Sequence, residues 1–204
     1  MAIPNQRGFA PVRHLSGGQT FSSVRRPLRG TNINQIYPGD PVRIDASGHI
    51  QRATLGTAAS APWLGVVKAT YGKDQRPRTH SLPENNAYAV VSSSGWVDIY
   101  EDPNIIFVVN CSASISPFKV GQFINIVINS PVTAANMSGY GVNEADCTAT
   151  AIGHPLKIVR ISPQDPLTAN ADPAGEANND VEVLIMQHMW RLEGRTYVVQ
   201  EHAA

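Results

Sequence analysis

Nucleophilic catalysis needs a hydroxyl or thiol beside a base that is itself oriented by a third group. The sequence has no G-x-S-x-G, and Ser92-Ser-Ser-Gly95 reads as a hairpin turn, not as the strand-to-helix elbow that exposes a catalytic serine. A triad gathered from distant serine, histidine and aspartate would leave no signature in the order of the residues. The six histidines, at 14, 49, 80, 154, 188 and 202, stand singly. No H-x-x-x-H, C-x-x-C or D-x-D-x-D spacing brings metal ligands together. Glu101-Asp-Pro103 reads as a turn, because aspartate before proline starts turns. Ser16-Gly-Gly18 and Gly139-Tyr-Gly141 do not lead from a strand into a helix, so neither reads as a phosphate loop. Nothing in the spacing of the acids selects a carboxylate pair for glycoside cleavage. The expectation is therefore a protein that is not an enzyme, with no catalytic residue, no cofactor and no metal site.

The elements that would carry any function are short apolar runs separated by turns, beginning near residue 36. Val42-Arg-Ile44 and His49-Ile-Gln-Arg-Ala53 can pair as a hairpin about Asp45-Ala-Ser-Gly48. Trp63 to Tyr71 is rich in β-branched and aromatic residues and reads as a strand. Tyr88 to Val91 and Trp96 to Tyr100 read as strands on either side of the serine-rich turn. Ile105 to Val109 is a continuous apolar run, the pattern of a buried strand. Further strands are expected at Phe123 to Asn129, Leu156 to Ile161 and Val181 to Met189, with a last edge strand at Thr196 to Gln200. Long loops are expected near 130–148 and 163–180. About eight to ten short strands without a convincing helix predict an all-β fold, an antiparallel β-barrel or sandwich.

Charge separates the chain into two regions. No acid occurs before Asp40, whereas Arg7, Arg13, Arg25, Arg26 and Arg29 do, among several glycines and prolines. Residues 1–32 therefore read as an extended basic arm, and 33–204 as the β-rich body. The arm carries Ile3, Phe9, Val12, Leu15, Phe21, Val24 and Leu28 among its arginines, the residue types favoured at protein interfaces. Arg7, Phe9, Arg13, Phe21, Arg25, Arg26 and Arg29 are thus the candidate partner-binding residues; packing back on the chain's own body is the other arrangement open to them. An arm lying outside the body could be removed without unfolding it.

Composition narrows the partners. Sixteen basic and sixteen acidic residues give a net charge of zero, which argues against a general nucleic-acid binder. The runs 105–109 and 123–129 contain no lysine or arginine. No specific nucleic acid is expected, and a nucleic-acid-binding β-barrel with a basic arm remains an alternative. No segment approaches the roughly 18 apolar residues that span a membrane, and the N-terminus has no apolar leader, so synthesis in a cytoplasm without membrane insertion is expected. Cys111 and Cys147 are expected to be free thiols. Only 16% of residues are charged, which suits a body packed in an assembly of many copies.

Several short motifs carry a resemblance. Gly8-Phe-Ala-Pro-Val-Arg13 with Gly17-Gly18, then Ile36-Tyr-Pro-Gly-Asp-Pro-Val42, then Ala61-Pro-Trp-Leu-Gly-Val66 come in the order seen in small structural proteins of tailed bacteriophages. Val97-Asp-Ile-Tyr-Glu-Asp-Pro103 before an apolar strand, and Val120-Gly-Gln122, agree with it. The chain thereby resembles phage head decoration, or cement, proteins. The resemblance implies a virion protein on the outer capsid surface, bound where major capsid subunits meet, and a homo-oligomer, a trimer before a dimer. It would stabilise the expanded shell by clamping those subunits, with the arm as its fastening. A low-copy neck or tail component of the virion is the alternative within the same class.

Overall fold

The computed structural model describes residues 8–28, 36–44, 48, 50–53, 62–71, 95–113, 115–128, 138–151, 154–162 and 180–190. The fold is all-β, and its strands pair antiparallel throughout the named sheets. Twelve strands are present among the described residues: β1 Ala10–His14, β2 Val24–Leu28, β3 Pro41–Ile44, β4 Ile50–Arg52, β5 Trp63–Tyr71, β6 Gly95–Tyr100, β7 Ile105–Asn110, β8 Phe123–Ile124, β9 Ile126–Ile128, β10 Tyr140–Val142, β11 Leu156–Ile161 and β12 Asp180–Ile185. The count exceeds eight to ten because several strands are only two or three residues long. Among the described residues no helix is long and apolar enough to cross a membrane.

One five-stranded sheet has the order β1-β7-β12-β11-β8, and the other the order β2-β6-β5-β3-β4. A hairpin of β9 and β10 lies beside β7. The second sheet curls until its edge strands β2 and β4 touch. Inside the curl sit Leu28, Ile36, Val42, Ile50, Leu64, Val67, Val97 and Ile99. A larger core joins the other face of this sheet to the first sheet, with Phe9, Trp63 and Val66 meeting Phe107, Val109, Ile158, Val181, Val183 and Ile185. The two-residue period explains the division, because Leu64 and Val67 enter one core while Trp63 and Val66 enter the other, with the glycine between them absorbing the change of phase. Gly65 has φ +156°, and a Cβ there would collide with the Tyr100 carbonyl of the paired strand.

The N-terminal region is not an arm outside the body. β1 pairs with β7 and β2 pairs with β6, so this one segment supplies an edge strand to each sheet. Removal of residues 1–30 would strip both edges, and the boundary expected at 32 does not separate an appendage from a body. The strand pattern was hidden by a register shift between Pro11 and Arg13 in β1 and by Pro27 in β2, which breaks the run yet is tolerated on an edge. Three further expectations change. The run Phe123–Asn129 is two strands, because Asn125 interrupts it and its Oδ1 accepts the N–H of Ile126. The loop at 130–148 contains β10 and a 3-10 turn at Glu144–Asp146. The last long strand stops at Ile185, after which His188 bridges Trp63 in parallel. The strands expected at 88–91 and 196–200, and the loop expected at 163–179, lie outside the described residues.

A buried turn holds the two layers in place. Gly39, at φ +87°, closes the turn Tyr37–Asp40, and its carbonyl accepts the N–H of Phe9 at 2.9 Å while its N–H donates to Val67. Asp40 is fully buried, accepts the Tyr37 N–H at 2.9 Å and lies 3.0 Å from Arg52 Nε. That ion pair is close but poorly aligned for a hydrogen bond, so it offsets only part of the desolvation. Burial therefore outweighs Arg52, the Ser138 hydroxyl and the Tyr37 N–H, and pushes the carboxyl up to about 6. The folded state consequently binds the proton more tightly than the unfolded chain between about pH 4 and about 6. Relative to Asp40→Asn, the wild-type protein should gain stability on the order of 2 kcal/mol as pH falls through that window. Urea unfolding of both proteins at a series of pH values measures this, and a difference that shrinks on acidification would contradict it.

Candidate functional site

The basic residues expected to meet a partner sit on strands whose register brings them against acids of the body. In β2, Arg25 stands opposite Asp98 of β6, and Arg26 opposite Val97. Arg25 Nε donates to Asp98 Oδ1 at 2.8 Å, and its guanidinium lies 4.0 Å over the ring of Tyr71. Tyr71 also donates its hydroxyl to Asp98 at 2.7 Å. The Arg25 hydrogen bond holds the Asp98 carboxyl below its ordinary range, against the desolvation that would raise it, and the same contact raises Arg25. Arg26 grips Glu101 through two parallel bonds of 2.7 Å, a fork that fits a carboxylate better than a lysine would.

The first sheet repeats the arrangement across three strands. Glu182 of β12 is completely buried between Arg13 of β1, at 3.0 Å, and Arg160 of β11, at 2.6 Å. Both guanidinium groups reach partly into water, with side chains 31% and 46% exposed, while the carboxylate they share does not. The acid is thus compensated inside the sheet, and the surplus positive charge lies at the surface. His14, the last residue of β1, places Nε2 2.9 Å from Asp102 Oδ2, and Asp102 Oδ1 accepts the Asn104 N–H, so the expected turn after Glu101 also clasps the end of β1.

The aromatic residues of the N-terminal region turn inward. Phe9 is buried, edge-on to Trp63 at 6.2 Å and to Phe107 at 6.4 Å between ring centroids. Phe21 packs edge-on against Tyr100 at 6.2 Å. The partner role expected for Phe9 is therefore corrected: a side chain that fills the core cannot face a second protein. Arg13, Arg25 and Arg26 are held together with Glu182, Asp98 and Glu101, while Arg7 and Arg29 lie outside the described residues. Sequence reasoning missed these acids because each lies far along the chain from its arginine, with 75 residues separating Arg26 from Glu101 and 169 separating Arg13 from Glu182.

What the surface offers instead is apolar. Phe118 is 92% exposed on the 3-10 turn Pro117–Lys119. The turn is stiff: Ser116 caps it by accepting the Phe118 N–H, Lys119 and Val120 donate back to Ser116 and Pro117, and Gly121 donates to Ile158 of β11. Val120 beside it is 42% exposed. Leu15, Val24 and Trp190 are the other large apolar side chains in water among the described residues. No signal in the sequence marked Phe118, since a lone phenylalanine in a Ser-Pro-Phe-Lys turn could equally point inward.

Cys111 and Cys147 are both free, and burial pushes the Cys111 thiol up to about 11, out of the reactive range. Among the described residues no three histidine, cysteine, aspartate or glutamate side chains are grouped to hold a metal ion.

If Arg13 and Arg160 serve chiefly to neutralise Glu182, replacing either with methionine should cost about 1 kcal/mol. The double replacement should cost on the order of 3 kcal/mol, more than the sum, because it leaves a buried charge without compensation. Denaturant unfolding of the singles and the double reads the coupling, and additive small losses would contradict it. Comparison with known proteins finds no matching family model, no matching curated protein and no matching solved structure.

Proposed function

We propose that this chain is a virion structural protein that decorates and stabilises the outer surface of an expanded capsid by clamping neighbouring major capsid subunits, acting as a homo-oligomer, with a trimer favoured over a dimer. The observation that carries the reading is the rigid presentation of Phe118. An aromatic side chain left 92% exposed on a turn whose backbone is hydrogen-bonded has only its own rotamer to order when a partner arrives. Such preorganised aromatic anchors are what protein interfaces use as hot spots. The motif order shared with decoration proteins supports the same reading, and so does a body in which the N-terminal segment is stitched to both sheets by ion pairs.

The role is mechanical and not catalytic. A protein that binds the expanded shell better than its alternatives shifts the shell toward expansion by its differential affinity. Many copies on one lattice add through multivalency. In this reading the partly exposed Arg25 and Arg26 act at the rim, where charge sets approach and salt dependence, and the apolar turn supplies affinity.

Replacing Phe118 with serine should leave the melting temperature nearly unchanged, because the side chain makes little internal contact. Cosedimentation with expanded shells that lack this protein should then show affinity reduced about 30-fold or more. Unchanged binding by the serine variant would overturn the assignment of Phe118 as the anchor. A wild-type chain that fails to sediment with shells would overturn the decoration reading itself.

A further inference from the structure

The turn that follows β1 brings together three groups that the proposed function does not use. His14 donates its backbone N–H to Gly18 at 2.8 Å and accepts the Gly17 N–H at 2.8 Å, closing a tight loop in which Gly17 has φ +91°. The loop sets Ser16 Oγ 2.6 Å from His14 Nδ1. On the far side of the ring, Nε2 lies 2.9 Å from Asp102 Oδ2, and Asp102 is fixed by the Asn104 N–H at 2.8 Å. Hydroxyl, imidazole and carboxylate therefore form one chain.

The tautomer follows from the backbone. The Ser16 N–H points to His14 Nδ1 at 3.2 Å, and an N–H can only donate. Nδ1 is thus the acceptor of the ring, so Nε2 carries the hydrogen and donates it to Asp102. The same Nδ1 lone pair faces the Ser16 hydroxyl at the shorter distance of 2.6 Å and is shared between the two donors, which places the hydroxyl proton where an imidazole removes it from a serine. Against desolvation, hydrogen bonding to Asn104 and His14 holds the Asp102 carboxyl below its ordinary range, so it stays ionised and accepts the Nε2 hydrogen. Ser16 itself is exposed.

We infer that Ser16 is an activated nucleophile, with His14 as its general base and Asp102 as the positioning residue, and that it accepts acyl or phosphonyl groups from donors with good leaving groups. In the acyl case, Oγ attacks the carbonyl carbon of an aryl ester while its proton passes to Nδ1. The tetrahedral adduct collapses, the bond from carbon to the aryl oxygen breaks, and the leaving phenolate departs with that electron pair. With a fluorophosphonate, Oγ instead bonds to phosphorus and fluoride leaves with the electron pair of the P–F bond; in both cases the imidazolium then returns its proton to solvent, leaving Ser16 as an ester.

The test uses the full chain, a fluorophosphonate probe and p-nitrophenyl acetate, with modified residues located by peptide mass spectrometry. Ser22, exposed on the same segment, is the internal reference. Ser16 should be modified about a hundredfold faster than Ser22. Asp102→Asn keeps an oxygen for the Asn104 N–H but turns an amide donor toward Nε2. The amide donor at Nε2 and the Ser16 N–H at Nδ1 then demand opposite tautomers, the ring is no longer held as a base, and the Ser16 rate should fall to that of Ser22 while the melting temperature holds. His14→Gln should give the same loss. Equal rates at Ser16 and Ser22 in the wild-type protein, or a Ser16 rate unaffected by Asp102→Asn, would overturn the inference.

Discussion

Phe9 stands where the two sheets meet, edge-on to Trp63 of one and Phe107 of the other, while its N–H is tied to the Gly39 carbonyl. Much else follows from that joint. It fixes the start of β1 beside β7, and the chain then crosses to lay β2 along β6. It also brings the Tyr37–Asp40 turn against β5, through bonds between Gly39 and Val67 in one direction and Val67 and Asp40 in the other. Gly8 must precede it without a side chain, because a Cβ there would run into Ser138 and the Gly39 carbonyl. An aromatic joint of this kind contributes both buried area and directional ring contacts.

Once the N-terminal segment is a strand of each sheet, its arginines acquire a different meaning. Arg13, Arg25 and Arg26 are the pins that fasten the two edges, each against an acid from a distant part of the chain. The absence of acids before Asp40 therefore reflects a division of labour within the molecule, with cations on the edge strands and their carboxylates on β6, just after it, and on β12. This makes the body continuous from one edge to the other. In the clamp proposed above, pinned edges would transmit force better than a loose tail, and the exposed apolar turn at Phe118, braced from β11, would supply the affinity.

The central strands were legible because their signals are local. Trp63–Tyr71, Gly95–Tyr100, Ile105–Asn110 and Leu156–Ile161 are dense in β-branched and aromatic residues, and they are strands. So is the hairpin of β3 and β4. The edges were not legible. β1 contains a register shift and is half-buried along its whole length, β2 contains a proline and is mostly exposed, and neither shows the alternation that marks a strand. The sequence around Asp40 gives no sign that it is fully buried, because its burial depends on Arg52 and Ser138 arriving from elsewhere. The candidate site was the least visible part: arginine-rich sequence looks the same whether the acids that will meet it lie on another protein or seventy residues further along the same chain.

The reading that this body serves as a capsid clamp makes one quantity decisive, the number of copies per particle. Purified virions encoding this chain should contain it in a ratio near one to one with the major shell protein, or in a fixed simple fraction of it, by quantitative mass spectrometry. That result is what a protein seated at every equivalent junction of the lattice requires. A few copies per particle would place it at the neck or tail, and its absence from particles would contradict the account altogether.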